Sequence, residues 1–227
     1  VVVLDNLSTG LRSSVAKGAE FVEGDISDRD LVSRLVIEHC VEAAIHFAGS
    51  VVVPESVTEP LKYYRNNAAA SLAFFEACLA AGMWRIIFSS TAAVYGAPTE
   101  CPVAEGAPKL PITPYGRSKL MTEWMLEDAA LAGRLDYMAL RYFNVAGADV
   151  LGRVGQSTPN ATHLVKRACQ VALGRVPYLE IFGTDYPTHD GTGIRDYIHV
   201  VDLVSAHLVA LDALLVDSAT GVYNVGY

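Results

Sequence analysis

Short apolar runs alternate with longer helical patterns along most of this chain, and that alternation limits the fold more than any other feature. The first run, residues 1–4, is continuously apolar, as in a parallel strand that is buried on both faces. We predict further strands in the same part of the chain at 21–25, 43–47, 85–89 and 138–143. We predict helices between them at 27–40 (capped by Ser27), 60–81 and 114–133. Such alternation predicts an α/β fold with a doubly wound parallel sheet.

The pattern changes after residue 144. Residues 147–160 are rich in glycine, proline and small polar side chains, which predicts a loop. Beyond this loop we predict helices at 162–173 and 201–215 and short strands at 179–182, 197–200 and 222–225. We therefore interpret the chain as a sheet domain over residues 1–146 and a smaller mixed α/β region over 147–227. Some segments of the second region are allowed to return to the sheet.

The composition is that of a globular protein, with 52% hydrophobic and 19% charged residues. A formal net charge of −8 gives no reason to expect a nucleic-acid or anionic-membrane partner. No apolar run reaches the ~18 residues of a membrane span. The cysteines and histidines are scattered without the spacing of a metal site. We therefore expect free thiols, no metal and a cytoplasmic location.

Tyr115 and Lys119 lie four residues apart near the start of the predicted helix at 114–133. This spacing places a phenol and an ammonium on one face of a helix, one turn apart. A neighbouring ammonium favours the phenolate and is expected to lower the tyrosine pKa from ~10. The pair is therefore interpreted as a proton shuttle that works near neutral pH. An exposed pair on an amphipathic helix is the alternative.

Polar or small residues follow the ends of successive predicted strands, where an open α/β sheet binds its ligands. These residues are Asp5, Asp25–Ile26, Phe47–Gly49, Ser89–Thr91 and Tyr142–Asn144. Asp5 is able to accept hydrogen bonds from both hydroxyls of a ribose, although an aspartate that forms a turn is an equal alternative. Asn66 lies within a largely apolar helix and needs a partner there, either a ligand or the core itself.

Together, the motifs around these residues resemble the extended short-chain dehydrogenase/reductase family and, within it, the UDP-glucose 4-epimerases. The motifs include LDNLSTG at 4–10, HFAG at 46–49, FSSTAAVYG at 88–96, PYGRSKLMTE at 114–123, LRYFN at 140–144 and IFGTDYPTHDGTGIRDYIHVVDL at 181–203. The last motif is the most specific, because the pair at 115 and 119 alone indicates only a dehydrogenase/reductase. The resemblance implies a Rossmann-type sheet, NAD as cofactor and a UDP-sugar substrate. It also implies a homodimer formed through the helices at 60–81 and 114–133.

The resemblance also implies roles for individual residues. The implied catalytic residues are Tyr115 as the base, Lys119 on the nicotinamide ribose and Thr91 beside the sugar O4. The implied NAD-binding residues are Asp5, Asn6, Asp25, Ile26, Phe47, Ala48, Gly49, Asn66, Ser89, Tyr115, Lys119 and Tyr142. The implied UDP-sugar-binding residues are Thr91, Tyr115, Asn144, His163, Leu164, Ile181, Phe182 and Arg195. The implied reaction is a 4-epimerisation by transient hydride transfer at C4 through a 4-keto sugar.

Other functions stay open. A nucleotide-sugar dehydratase, decarboxylase or pentose epimerase shares these motifs, although a dehydratase would carry Asp-Glu where this chain has Ala92–Ala93. A binding protein without catalysis is the third option, but such proteins usually lose the tyrosine or the lysine. The family begins with a strand and a glycine-rich turn that have no match here. We therefore expect these residues to belong to a longer protein, and to be inactive alone.

Overall fold

The computed structural model describes residues 1–158 and 163–227. Its strands are β1 (Val2–Asp5), β2 (Glu20–Glu23), β3 (Ala44–His46), β4 (Arg85–Ser89), β5 (Asp136–Tyr142), β6 (Asn144–Ala146), β7 (Tyr197–His199) and β8 (Gly221–Val225). The largest sheet has the strand order β3-β4-β5-β8, and all of its pairings are parallel. β1 and β2 form a separate parallel pair. The predicted parallel α/β fold is confirmed.

The helices are α1 (Arg29–Glu38), α2 (Val53–Thr58), α3 (Pro60–Tyr63), α4 (Ala70–Ala80), α5 (Pro114–Leu131), α6 (Leu164–Ala172) and α7 (Val200–Val216). A π-helical turn, Tyr64–Ala69, joins α3 to α4, so the helix predicted at 60–81 is one run with an irregular centre. A short 3₁₀ turn, Ala92–Tyr95, follows β4.

The large sheet is covered on both faces, because alternate residues of its central strands enter different cores. Ile86 and Phe88 of β4 belong to a core built with α1, α4 and α5. Ile87, which lies between them, packs instead with Leu214 of α7. Strands buried on both faces carry apolar side chains at most positions, which explains the nearly continuous apolar runs in the sequence. This arrangement confirms the doubly wound architecture.

By its internal contacts the chain divides into two compact units, one of residues 1–142 and 206–225 and the other of 143–205 and 226–227. The first unit holds the large sheet, the β1–β2 pair and the final part of α7 with β8. The second holds the parallel β6–β7 pair, in which Val145 lies opposite Ile198. None of the helices in the described residues is long and apolar enough to cross a membrane.

Several local predictions are wrong. Residues 179–182 do not form a strand, and Phe182 is 88% exposed. The apolar residues of this segment favoured a strand, but no partner strand is described beside it. Asp28, not Ser27, caps α1 by accepting a hydrogen bond from Leu31 N at 3.0 Å. α2 forms between the predicted strand at 43–47 and the predicted helix at 60–81, where no helix was predicted. Thr162, the predicted start of α6, lies outside the described residues, so that boundary stays a prediction.

Candidate active site

Helix α5 carries the predicted tyrosine–lysine pair, and its first turn is fixed by local sequence. Thr113 caps the helix, since its hydroxyl accepts a hydrogen bond from Gly116 N at 3.2 Å. Pro114 occupies the first helical position, where its missing N–H costs nothing. Tyr115 and Lys119 then follow one turn apart, facing the end of β4.

Lys119 is the most unusual residue of the site, because its side chain is only 1% exposed. Its Nζ donates a hydrogen bond to the Ser89 carbonyl oxygen at 2.8 Å and lies 4.8 Å from the centre of the Phe88 ring. Burial lowers the pKa of Lys119 to about 8, while the negative charge of Glu123 acts in the opposite direction. The ammonium is thus easier to deprotonate than that of an ordinary lysine.

The predicted effect of Lys119 on Tyr115 is wrong. Burial raises the pKa of Tyr115 to about 12, and the charge of Tyr142 adds to the rise. A hydrogen bond with the Thr91 side chain is what lowers this pKa. Lys119 donates instead to the Ser89 carbonyl oxygen, so in the protein alone desolvation of the phenol prevails over the helical spacing.

The end of β4 supplies the hydroxyls that the sequence predicted at this site. Ser89, Ser90 and Thr91 are all buried. The Ser89 hydroxyl is hydrogen-bonded to the Tyr142 hydroxyl at the end of the neighbouring strand β5. Thr91 bonds the Tyr115 phenol. The structure therefore brings Ser89, Thr91, Tyr115, Lys119 and Tyr142 together in the first unit.

Asp5, Asn6 and Asp25 form a second polar group at the ends of the paired strands β1 and β2. Asn6 Nδ2 donates to Asp25 Oδ2 at 2.9 Å, and Asp5 Oδ1 accepts from Leu7 N at 2.6 Å. Hydrogen bonds from Ser27 lower the pKa of Asp25. Ile26, which follows, is half-buried. This edge offers the carboxylates of Asp5 and Asp25 to a ligand with hydroxyl groups.

The segment after β3 approaches the π-helical turn closely. Gly49 has φ +150°, and a Cβ atom added there would lie 2.9 Å from Asn67 Oδ1. Phe47 is 56% exposed, with its ring centre 4.9 Å from that of His207, and Ala48 is half-buried. Because Asn67 lies so close to the backbone at Gly49, a residue without a side chain is required there.

Asn67, which the sequence analysis did not select, is the buried amide of this helix. It is 1% exposed, and its side chain exchanges two hydrogen bonds with the Ser50 backbone and donates a third to Ser118 Oγ. Asn66 is half-buried and donates to Ser50 Oγ at 3.1 Å. The core role that was considered for Asn66 therefore belongs to Asn67. π-helical turns are frequent at functional sites, but no residue in the sequence predicts the one at Tyr64–Ala69.

A second missed feature is the fully buried ion pair between Glu123 and Arg141. Arg141 Nε and Nη2 donate to Glu123 Oε1 and Oε2 at 2.9 and 2.6 Å. Burial disfavours the charged form of Arg141, yet the hydrogen bonds that Arg141 donates to Glu123, with the negative charge of that carboxylate, outweigh burial and raise the pKa of Arg141. An arginine within an apolar strand was the available signal, because a buried charge requires a partner.

Of the residues predicted to bind the sugar nucleotide, Thr91 and Tyr115 lie in the first unit and the other six lie in the second. Asn144 is half-buried, and its backbone N donates to the Asp196 carbonyl oxygen at 3.1 Å. The remaining side chains are exposed: His163, Leu164, Ile181, Phe182 and Arg195. Their role in binding stays a prediction.

The residues of the first unit fit NAD. The ammonium of Lys119 has three donors, and among the described residues its hydrogen bond to Ser89 accounts for one. Ribose hydroxyls are suitable acceptors for the others. The Asp5 carboxylate is an acceptor suited to the hydroxyls of a second ribose, and Gly49 leaves room for a backbone approach. Within the described residues, no group of His, Cys, Asp or Glu is suited to a metal ion.

Comparison with known proteins agrees with this geometry. Residues 1–226 match the NAD dependent epimerase/dehydratase family, and the chain belongs to it. It is 58% identical over 226 residues to a UDP-glucose 4-epimerase of Azospirillum brasilense, covering 100% of this chain and 65% of that relative. The chain therefore spans about two thirds of the length of the curated relatives it matches.

Two solved structures show the same fold. UDP-glucose 4-epimerase from Brucella ovis, in complex with NAD, has a TM-score of 0.95 at 47% identity, covering 99% of this chain and 69% of that one. UDP-glucose-4-epimerase from Stenotrophomonas maltophila, with bound NAD and formylated UDP-arabinopyranose, also has a TM-score of 0.95 at 40% identity, covering 99% and 70%. The predicted family and cofactor are thereby confirmed.

His46, at the end of β3, is a buried histidine whose charge state generates a prediction. It is 4% exposed, its Nε2 lies 2.9 Å from Ser71 Oγ, and the rings of Phe74, Phe75 and Phe88 surround it edge-on. Burial, with the nearby charge of Lys119, lowers the pKa of His46 to about 3. Below an unfolded-state pKa of ~6.5, the unfolded chain therefore binds a proton that the folded chain does not.

We expect the free energy of unfolding to fall as the pH is lowered from about 6.5 towards 3. In His46→Gln, which is uncharged at every pH, this fall should be smaller by about 2 kcal/mol between about pH 6.5 and 4.5. Urea unfolding of the full-length protein at the two pH values is the measurement. His189→Gln, at an exposed position, is the matched control. An unchanged pH dependence in His46→Gln would show that His46 is charged in the fold.

Proposed function

We propose that the full-length protein is an NAD-dependent 4-epimerase that interconverts UDP-glucose and UDP-galactose. The observation that carries this proposal is the grouping of Tyr115, Thr91 and Lys119 at the end of β4. The names of the similar proteins support the choice of reaction. Ala92 and Ala93, which follow Thr91 in the 3₁₀ turn, offer no acid for a dehydration. An epimerase is therefore favoured over a dehydratase.

The proposed mechanism assigns the movement of one proton to Tyr115. When bound, NAD supplies the hydride acceptor and donor for the sugar C4, together with a positive charge on its nicotinamide ring. Tyr115 takes the proton from O4 and returns it when the 4-keto sugar is reduced on the opposite face. Thr91, bonded to the phenol, lowers the pKa of Tyr115 and holds it towards the sugar oxygen. Lys119 orients the cofactor ribose.

The burial of the Tyr115 phenol determines which charge the site needs before Tyr115 acts as a base. In the protein alone, Tyr115 keeps its proton at neutral pH, since its pKa is raised to about 12. Its basic form therefore depends on a positive charge beyond those of the protein's own residues. A base that is active only in the loaded site does not take protons from water between turnovers.

We propose that the second unit binds the UDP-sugar. Asn144, His163, Leu164, Ile181, Phe182 and Arg195 are the proposed contacts, with Arg195 on the pyrophosphate. The exposed guanidinium of Arg195 is chemically suited to a diphosphate. We also propose a reducing, cytoplasmic location, which the free cysteines support; fractionation of the producing cells is the test.

Replacing the proposed base tests the function directly. In full-length protein that epimerises UDP-galactose, Tyr115→Phe should lower kcat by a factor on the order of 10²–10⁴, because general acid–base catalysis is lost. The affinity for the UDP-sugar should change little, since the ring is retained. Tyr223→Phe, at an exposed position, is the control. Turnover of Tyr115→Phe within about tenfold of wild type would exclude Tyr115 as the base.

We further propose that the protein forms a homodimer through the helical run that begins at Pro60 and through α5. Both carry exposed apolar side chains, including Leu61, Leu72, Met121 and Trp124. Trp124 and Met121 line a groove of about 420 Å³ between α5, Tyr64 of the π-helical turn and the loop at 109–111. An exposed apolar surface of this kind is typical of an interface.

Trp124→Glu should therefore convert a dimer into a monomer at micromolar concentration, because it places a charge in an apolar interface. Light scattering coupled to size-exclusion chromatography measures this. Trp84→Glu is a matched control, since Trp84 is 45% exposed against 51% for Trp124 and lies before β4. A monomeric wild-type protein, or a dimer that survives Trp124→Glu, would contradict the proposed interface.

A further inference from the structure

Three side chains on one face of α5 contact three consecutive residues at the end of β4. Tyr115 bonds the Thr91 side chain, and Lys119 bonds the Ser89 carbonyl oxygen. Glu123, one further turn along the helix, accepts a hydrogen bond from the Ser90 hydroxyl through Oε1. The proposed reaction uses the first two contacts. The third contact, between Glu123 and Ser90, has no role in that reaction.

Glu123 is itself held firmly. It is 3% exposed, and Arg141 of β5 donates to both of its carboxylate oxygens. A planar guanidinium paired in this two-pronged way fixes the orientation of the carboxylate as well as its position. The direction in which Glu123 presents Oε1 to Ser90 is therefore set by the strand next to β4, not by the flexible side chain alone.

Arg141 also reaches the other end of the segment that contains Thr91. Its Nη1 donates to Tyr95 Oη at 2.7 Å, and the Tyr95 hydroxyl donates in turn to Asn224 Oδ1 of β8 at 2.6 Å. Tyr95 is the last residue of the 3₁₀ turn that follows Thr91. Both ends of this segment, Ser90 and Tyr95, are thus bonded to one buried ion pair.

We propose that the Glu123–Arg141 pair positions Thr91 for the reaction by holding Ser90 and Tyr95 through their hydroxyl groups. Glu123 and Arg141 are positioning residues here, because they act on the sugar oxygen only through Thr91 and Tyr115. The proposal rests on the proposed epimerase function. It explains why an ion pair is buried in this place, where an apolar pair of the same size would pack equally well.

Backbone bonds alone leave the Thr91 side chain incompletely restrained. Ser90 N donates to the Leu140 carbonyl oxygen at 2.9 Å, which fixes the backbone before Thr91. Thr91 Oγ1 accepts from Ala93 N at 3.1 Å, but this bond moves with the 3₁₀ turn. Val94 and Tyr95 of the turn pack with Leu120 of α5, and this apolar contact has no fixed direction. The hydroxyls of Ser90 and Tyr95 add directed bonds at the two ends of the segment. A small displacement of a catalytic group costs a large factor in rate.

Two variants remove one hydroxyl each and leave the ion pair intact. We expect Ser90→Ala and Tyr95→Phe, made in the full-length protein, to lower kcat by about tenfold with an unchanged KM for UDP-galactose. The thermal unfolding midpoint should stay near that of wild type, since neither change leaves a buried charge unpaired. Ser33→Ala is the control, because Ser33 Oγ bonds Ala77 O at 3.3 Å between α1 and α4. It should leave kcat unchanged.

A double-mutant cycle shows whether Ser90 acts through Thr91. In a Thr91→Ala background, adding Ser90→Ala should lower kcat no further. Full additivity of the two changes, or a wild-type kcat in Ser90→Ala, would overturn the proposal. A fall in kcat accompanied by an equal rise in KM, or by a loss of thermal stability, would also overturn it. Absence of epimerase activity in the wild-type protein would instead refute the proposed function, since every variant is compared with that activity.

Discussion

The buried ammonium of Lys119 is the interaction on which the arrangement of the site depends. Its pKa is lowered to about 8, so the unfolded chain binds more protons than the folded chain between about pH 8 and 10.4. Stability therefore rises with pH across that window. At neutral pH, burying this charge costs about 3 kcal/mol relative to an exposed lysine. A cost of that size indicates a residue kept for function.

Contacts on several elements keep this charge in place. The Ser89 carbonyl accepts from Nζ, the Phe88 ring lies against it, and the carboxylate of Glu123 opposes the loss of its proton. Phe88 and Ser89 belong to β4, a central strand whose parallel neighbours leave its carboxyl end open. The sheet thus positions the lysine, and the lysine with Glu123 fixes how α5 lies on the strand end.

Much of this fold was predictable, because the spacing of apolar residues along the chain indicates which faces of its strands and helices are buried. The strand 85–89 and the helix starting at Pro114 were predicted to the residue at one end or both, and the pair at 115 and 119 was recognised. The strand predicted at 179–182 was wrong, since an apolar run does not reveal whether a partner strand exists. The family and cofactor were predicted from motifs, not from physical periodicity.

What the sequence did not reveal depends on pairing between distant residues. Asn67 could not be distinguished from Asn66, because only the π-helical turn decides which amide enters the core. Arg141 in an apolar strand signalled a buried charge, yet its partner Glu123 is eighteen positions away. The pKa of Tyr115 was predicted in the wrong direction, because helical spacing says nothing about how far a phenol is removed from water.

A titration of the Lys119 side chain by NMR tests the account most directly. Full-length protein labelled with ¹⁵N at the lysine ζ position and freed of cofactor would be followed with pH, and Lys119→Arg would assign the resonance. The account predicts a midpoint near the lowered pKa of about 8. A midpoint near 10.4, as in an exposed lysine, would contradict the burial of this ammonium and the arrangement built on it.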